Sequence, residues 1–222
     1  MTTVLALQQV VAYIEGTQVL RGVSLEVAKG ETVALIGRNG AGKTSLIRTV
    51  MGVLPLRSGQ IMFNGTDLGR APGHLRPVLG IGYAPEERRL IGKFTVLDNI
   101  LLPAWACGLS RSVIDERLEL VYSIAPELEE MSQRLGGLLS GGQQKMVALA
   151  RALMAGQELV ILDEPFQGLA PALALSYAER LRLLRSRKPN LAILIAESNP
   201  SLLESMADHL ITIERGEAQI QA

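Results

Sequence analysis

The chain has 222 residues, 48% of them apolar, with 22 Lys and Arg against 22 Asp and Glu. That length allows one large α/β domain or two small lobes sharing a core, and the balanced charge excludes a basic nucleic-acid footprint over the chain as a whole. A single cysteine, Cys107, excludes an internal disulfide and fits a reducing compartment. Residues 1–6 lack the basic n-region of a secretory leader, so none is expected. The longest apolar stretch, 100–109, is too short to span a bilayer and carries Pro103. A mean hydropathy of +0.24 is apolar for a soluble chain and predicts a surface partly covered by a partner.

Strands are predicted over residues 4–11 and 18–27, the second broken at Gly22. Val23-Ser24-Leu25-Glu26-Val27 alternates as a half-buried antiparallel strand does. After the turn Gly30-Glu31, residues 31–36 form a short buried strand. It runs into Gly37-Arg38-Asn39-Gly40-Ala41-Gly42-Lys43-Thr44, followed by Ser45, which fits G-x-x-x-x-G-K-[ST]. A helix is predicted from residue 43 to 51. In such a strand–loop–helix unit, glycine N–H groups close around phosphate oxygens and the helix dipole points its positive end at them. Lys43 adds a point charge on the β- and γ-phosphates, and the Thr44 hydroxyl is a ligand for Mg²⁺. The chain is therefore expected to bind a nucleoside triphosphate.

Residues 60–63 form another strand, closed by the hairpin signal Asn64-Gly65. Residues 66–80 read as loop, with Pro72, Gly73 and Pro77, and a short strand at 81–83 ends at Pro85. From 86 to 157 the signals become helical, with periodic segments at 96–102, 112–124 and 141–154 and a helix start around Ser110. Strands return at 158–162 and 191–195, with a helix at 171–187 between them. A small helix at 201–206 and strands at 209–213 and 218–221 complete the chain. Apolar strands alternating with helices predict an α/β fold, with a parallel sheet covered on both faces. The helical block interrupts that sheet as an insertion.

Two further patterns carry chemistry. The strand Val160-Ile161-Leu162 ends in Asp163-Glu164. Alone this is a strand meeting a turn; downstream of a P-loop it is the expected second half of a hydrolytic site. There the Asp serves Mg²⁺ and the Glu orients or deprotonates the attacking water. Leu139-Ser140-Gly141-Gly142-Gln143 opens the helix at 141–154. Ser140 suits an ordinary cap, but two successive glycines weaken a helix start unless something must approach the backbone, and exposed N–H groups there suit an anion.

With these residues in place, the chain resembles the nucleotide-binding subunit of an ABC transporter. The resemblance runs from about residue 5 to 219, and its marks stand in family order: P-loop at 37–44, signature at 139–143, strand-end carboxylates at 159–164. It implies a P-loop NTPase core with an antiparallel β subdomain and an inserted helical subdomain. One domain would span 1–222, with 1–85 and 158–222 as the α/β core and 86–157 as the helical part. It further implies that Tyr13 stacks on adenine, that Asp163 serves Mg²⁺ and that Glu164 is the general base. Ser140, Gly141, Gly142 and Gln143 would contact the γ-phosphate of ATP held by an opposite subunit. Such cassettes work in pairs around two ATPs.

Residues 80–89 (GIGYAPEERR), 94–100 (FTVLDNI) and 164–171 (EPFQGLAP) resemble the smaller ATP-binding subunit of branched-chain amino-acid importers, whose relatives serve amides and urea. That implies a second ATPase subunit, non-identical in that branch or else a second copy, two transmembrane permeases and, indirectly, an external substrate-binding protein, with no nucleic acid. The subunit would sit peripherally on the cytoplasmic face of the membrane, with 86–105, including Trp105, docking the permease. Four positions depart from the general ABC pattern, two of them in the turn after Glu164, with Phe166 where Ser is usual and Ala170 where Asp is usual. Glu86 stands where a Mg²⁺-ligating glutamine is usual and Ser198 where a γ-phosphate-sensing histidine is usual. These last two replacements imply a weaker hydrolytic site on this P-loop. Two other readings compete: a soluble ABC-type ATPase acting on ribosomes or DNA, against which stand one cassette, no coiled coil and no basic excess; and a catalytically attenuated nucleotide sensor, which Ser198 favours and Glu164 opposes.

Overall fold

The computed structural model describes residues 2–220, with Ile220 as backbone only. In chain order the elements are β1 (Thr3–Ile14), β2 (Thr17–Ala28), β3 (Thr32–Ile36), α1 (Lys43–Val50), β4 (Ser58–Phe63), β5 (Thr66–Asp67), β6 (Ile81–Ala84), α2 (Val96–Ala106), α3 (Arg111–Ile124) and α4 (Glu127–Glu130). There follow α5 (Gly141–Ala155), β7 (Leu159–Asp163), α6 (Pro171–Arg187), β8 (Ala192–Glu197), β9 (His209–Glu214) and β10 (Glu217–Ile220). Chain packing divides them into two compact units, Met1–Arg76 with Asn190–Ala222, and Pro77–Pro189.

The first unit carries the antiparallel sheet β2-β1-β4-β5. In a second set of strands β3 lies parallel to both β8 and β9, and β10 folds back antiparallel on β9. Val33, Ala34 and Leu35 of β3 and residues 192–196 of β8 are buried, in keeping with their apolar runs, and β8 ends in buried Glu197. Two-residue turns with both residues at positive φ, Glu15-Gly16, Asn64-Gly65 and Arg215-Gly216, close the β1–β2, β4–β5 and β9–β10 hairpins. β2 runs through Gly22, where a break was predicted. A β-bulge absorbs the irregularity: Gln9 takes φ 51 and Gly22 φ 83, and the Gln9 N–H donates to Ser24 Oγ at 2.9 Å. The expected loop at 66–80 holds β5 and one 3₁₀ turn, Gly73–Leu75. It is gathered around Arg76, which is 1% exposed and donates to the carbonyls of Val50 at 2.8 Å, Leu68 at 2.7 Å and Ala71 at 3.1 Å. The small helix expected at 201–206 is a 3₁₀ turn, Pro200–Leu202, followed by turns. Of the strand expected at 218–221, Gln221 lies outside the described residues.

In the second unit β6 lies parallel to β7, and α5 packs on β6, β7, α2 and α3. α2 runs to Ala106 with Pro103 inside it, four residues past the predicted end. Its start is a full capping box, with Thr95 Oγ1 accepting from the Asp98 N–H at 3.0 Å and Asp98 Oδ2 accepting from the Thr95 N–H at 3.2 Å. Buried Asn99 then organises the loop before it, accepting from the Ile91 N–H at 2.8 Å and donating to the Ile91 and Thr95 carbonyls at 3.1 and 2.9 Å. Among the described residues no helix is long and apolar enough to cross a membrane.

Candidate functional site

The P-loop leaves the half-buried C-terminal end of β3 in the first unit. Gly37 is required by close approach: a Cβ there would stand 2.3 Å from the Ile213 carbonyl oxygen. Gly40 and Gly42 have φ of 81° and 116°, left-handed backbone that favours glycine, and Gly42 is the N-cap of α1. Lys43 is 4% exposed; its ammonium donates to the Gly37 carbonyl at 2.6 Å and lies 3.4 Å from the Arg38 carbonyl. The loop thus curls around its own lysine.

Ser198, just past β8, joins the same cluster. Its Oγ accepts from Lys43 Nζ at 3.3 Å and donates to Asn39 Oδ1 at 2.7 Å. The residue that stands where a histidine is usual is thus hydrogen-bonded into the P-loop itself. Two cavities flank the loop. One of about 510 Å³ is lined by Gly40, Gly42, Ser45, Val19 and Arg215, and one of about 520 Å³ by residues 37–41 with Thr212 and Glu214. Tyr13, at the end of β1 and 42% exposed, lines neither. Thr44 and Ser45 open α1, behind Lys43. A cradle of glycines at positive φ, a helix start and a buried ammonium fit a polyphosphate.

The second unit holds the other candidate residues. β7 is buried along its whole length and delivers Asp163 and Glu164, 2% and 4% exposed. Tyr83 Oη donates to Asp163 Oδ2 at 3.4 Å. Glu164 has φ 49, a left-handed conformation rare for a residue with a side chain. Its carbonyl accepts the Gln167 N–H at 3.3 Å and also the ammonium of buried Lys145 from α5. Phe166, in the turn that follows, meets Tyr177 edge-on with centroids 5.7 Å apart.

At the start of α5, Ser140 makes the cap: its Oγ accepts from the Gln143 N–H at 3.3 Å, and Gln143 Oε1 accepts from the Ser140 N–H at 3.0 Å. Capping and tight packing coexist there. A Cβ on Gly141 would lie 3.4 Å from Arg88 Nη1, and one on Gly142 3.1 Å from Leu173 Cδ1. Glu86 is half-buried in the turn after β6. Beyond it, Arg88 and Arg89 have φ of 60° and 48°, and Arg151 of α5 holds both their carbonyls. Burial lowers the pKa of the Arg151 guanidinium.

Sequence reasoning missed Lys145, Arg88 and Arg151. A cation in a run of helical signals reads as a solvated face, and only the fold shows Lys145 and Arg151 turned toward backbone carbonyls and Arg88 donating to Gln144 Oε1 at 3.1 Å. Among the described residues no group of three or more His, Cys, Asp or Glu could hold a metal. Thr44 and Asp163 each carry an oxygen of the kind that Mg²⁺ takes.

The ABC transporter family matches residues 20–167. The chain is 34% identical to the high-affinity branched-chain amino acid transport ATP-binding protein of Pseudomonas aeruginosa, over 96% of this chain and 89% of that protein. It is 30% identical to a probable branched-chain amino acid transport ATP-binding protein of Archaeoglobus fulgidus, over 89% and 83%. To the lipopolysaccharide export system ATP-binding protein of Escherichia coli it is 33% identical, over 97% and 88%. Among solved structures, an ATP-binding subunit of an ABC transporter matches with a TM-score of 0.84 at 29% identity, over 99% of this chain and 88% of that one. A nucleotide-free ATP-binding cassette from an ABC transporter matches with 0.83 at 28%, over 98% and 90%. The chain belongs to the ABC transporter family, as an ATP-hydrolysing subunit.

Proposed function

We propose that this cassette powers the import of branched-chain amino acids or of the related amides and urea, from the cytoplasmic face of the membrane. The reading is carried by residues 80–89, 94–100 and 164–171, which resemble the smaller ATPase of such importers, and two of the relatives named above bear that transport in their names. One cassette domain spans 1–222, with residues 86–157 as its helical part. It pairs with a second, non-identical ATPase, or with a second copy, and with two permeases; an external binding protein delivers the cargo.

In this reading residues 37–45 hold the triphosphate, with Lys43 on its outer phosphates and Tyr13 against the adenine. Mg²⁺, held by Thr44 and Asp163 with Glu86 as a third oxygen ligand, would supply charge neutralisation at the β- and γ-phosphates. Glu164 takes the proton of the attacking water. Ser198 steadies Lys43 and Asn39. Ser140, Gly141, Gly142 and Gln143 present N–H and hydroxyl donors to the γ-phosphate held by the partner cassette.

The lipopolysaccharide export relative, with 33% identity over 97% of this chain, motivates a second reading as an exporter ATPase. Purification of the tagged chain with its permeases, followed by ATPase assays in proteoliposomes, separates the two. Stimulation by a binding protein loaded with leucine, valine, an amide or urea supports import. Stimulation by lipopolysaccharide alone would overturn it.

A further inference from the structure

α5 begins at the signature glycines and, one turn later, carries Lys145. This lysine is only 5% exposed, and its ammonium donates to the main-chain carbonyl of Glu164. Burial disfavours the charged form of a lysine, and a methionine would fill the same volume without that penalty. Among its contacts, the ammonium holds one peptide group. Glu164 sits at φ 49, and such a conformation persists only where its surroundings enforce it. Its carbonyl receives the turn's own Gln167 N–H at 3.3 Å and the Lys145 ammonium, one donor for each lone pair. With that peptide plane held, the direction of the Glu164 Cα–Cβ bond is set as well.

We propose that Lys145 is a positioning residue for Glu164, and that through it the signature end of α5 is mechanically linked to the base of the same chain. The inference rests on the reading of Glu164 as the base. A displacement of α5 when Ser140, Gly141 and Gly142 engage the partner's nucleotide would carry Lys145 with it and turn the Glu164 peptide. One site would thereby sense occupancy of the other.

The test is steady-state ATPase of the assembled transporter carrying Lys145→Met, Lys145→Arg, Glu164→Gln, or Lys145→Met with Glu164→Gln. Melting temperature and ATP affinity of each full-length chain are measured alongside. Lys145→Met is expected to lower the Glu164-dependent part of kcat roughly ten- to a hundredfold, as a misplaced reacting group does, with KM for ATP changed less than about twofold. Lys145→Arg should recover part of kcat, and the double variant should be no slower than Glu164→Gln alone. Should Lys145→Met not fold, Lys145→Gln replaces it and the same kcat-against-KM split is read. A kcat within about twofold of the parent, or a parallel loss of kcat, ATP affinity and melting temperature, would overturn the positioning role while Glu164→Gln still inactivates. If Glu164→Gln itself leaves turnover intact, the base assignment falls, and this inference falls with it.

Discussion

The ammonium of Lys43 is the most concentrated charge in the P-loop, and among its partners are three oxygens, the Gly37 and Arg38 carbonyls and Ser198 Oγ. Phosphate oxygens are stronger partners for it than carbonyls. Lys43→Ala should therefore weaken ATP binding by roughly 1.5–3 kcal/mol, about ten- to a hundredfold in Kd. Calorimetric titration of the folded variant measures this, and an unchanged affinity would remove Lys43 from the site. Arg76 is the contrasting case, a buried guanidinium that touches only backbone carbonyls. Burial lowers its pKa, yet it remains the donor for Val50, Leu68 and Ala71. Arg76→Met strands those carbonyls, and each orphaned buried acceptor costs about 1–3 kcal/mol. Urea unfolding should show a loss of about 3 kcal/mol or more; a loss below about 1 kcal/mol would mean water replaces the guanidinium.

Among the elements, the loop from Ile91 to Thr95 depends on a side chain from the helix that follows it. Asn99 is fully buried and serves both the N–H and the carbonyl of Ile91 as well as the Thr95 carbonyl. Asn99→Ala should lower stability by about 1–3 kcal/mol. It should also raise hydrogen exchange at residues 91–95 while the strands β6 and β7 keep their protection. Uniform deprotection of the second unit would show instead that Asn99 supports the unit as a whole. The same contrast explains what was legible at this scale. Asn64-Gly65 announces its hairpin because both residues tolerate positive φ. The bulge at Gln9 is invisible in sequence, because its cause, the pairing with Ser24, lies across the sheet.

For the whole molecule, the relevant surface is the apolar one left uncovered in the second unit. Val96, Ile100 and Ala104 are buried, while Ile91, Phe94, Trp105, Leu135 and Leu138 are 41%, 36%, 50%, 44% and 64% exposed. Helix α2 and its approach thus divide between core and surface, with Phe94 and Trp105 on the exposed side. Phe94→Asp and Ile91→Asp should lower recovery of the permeases in co-purification at least about tenfold, as loss of apolar anchors at a binding surface does. ATP affinity of the full-length chain should not change. Permease recovery equal to the parent's would place docking elsewhere.

What the sequence determined by itself is the chemistry that short spacing encodes. Gly37 to Thr44, Ser140 to Gln143 and Asp163-Glu164 are contiguous, so their glycines, hydroxyl and carboxylates are legible before any fold is known. The alternation of apolar strands and helices likewise follows from local periodicity. The tertiary structure decided the rest, because it depends on residues far apart in the chain. It tied Ser198 to Lys43 across 155 positions, set Arg151 on the carbonyls of Arg88 and Arg89, and turned Lys145 onto Glu164. No period marks such pairs. A lysine or arginine reads as solvated until the fold buries its stem and turns its head onto backbone carbonyls.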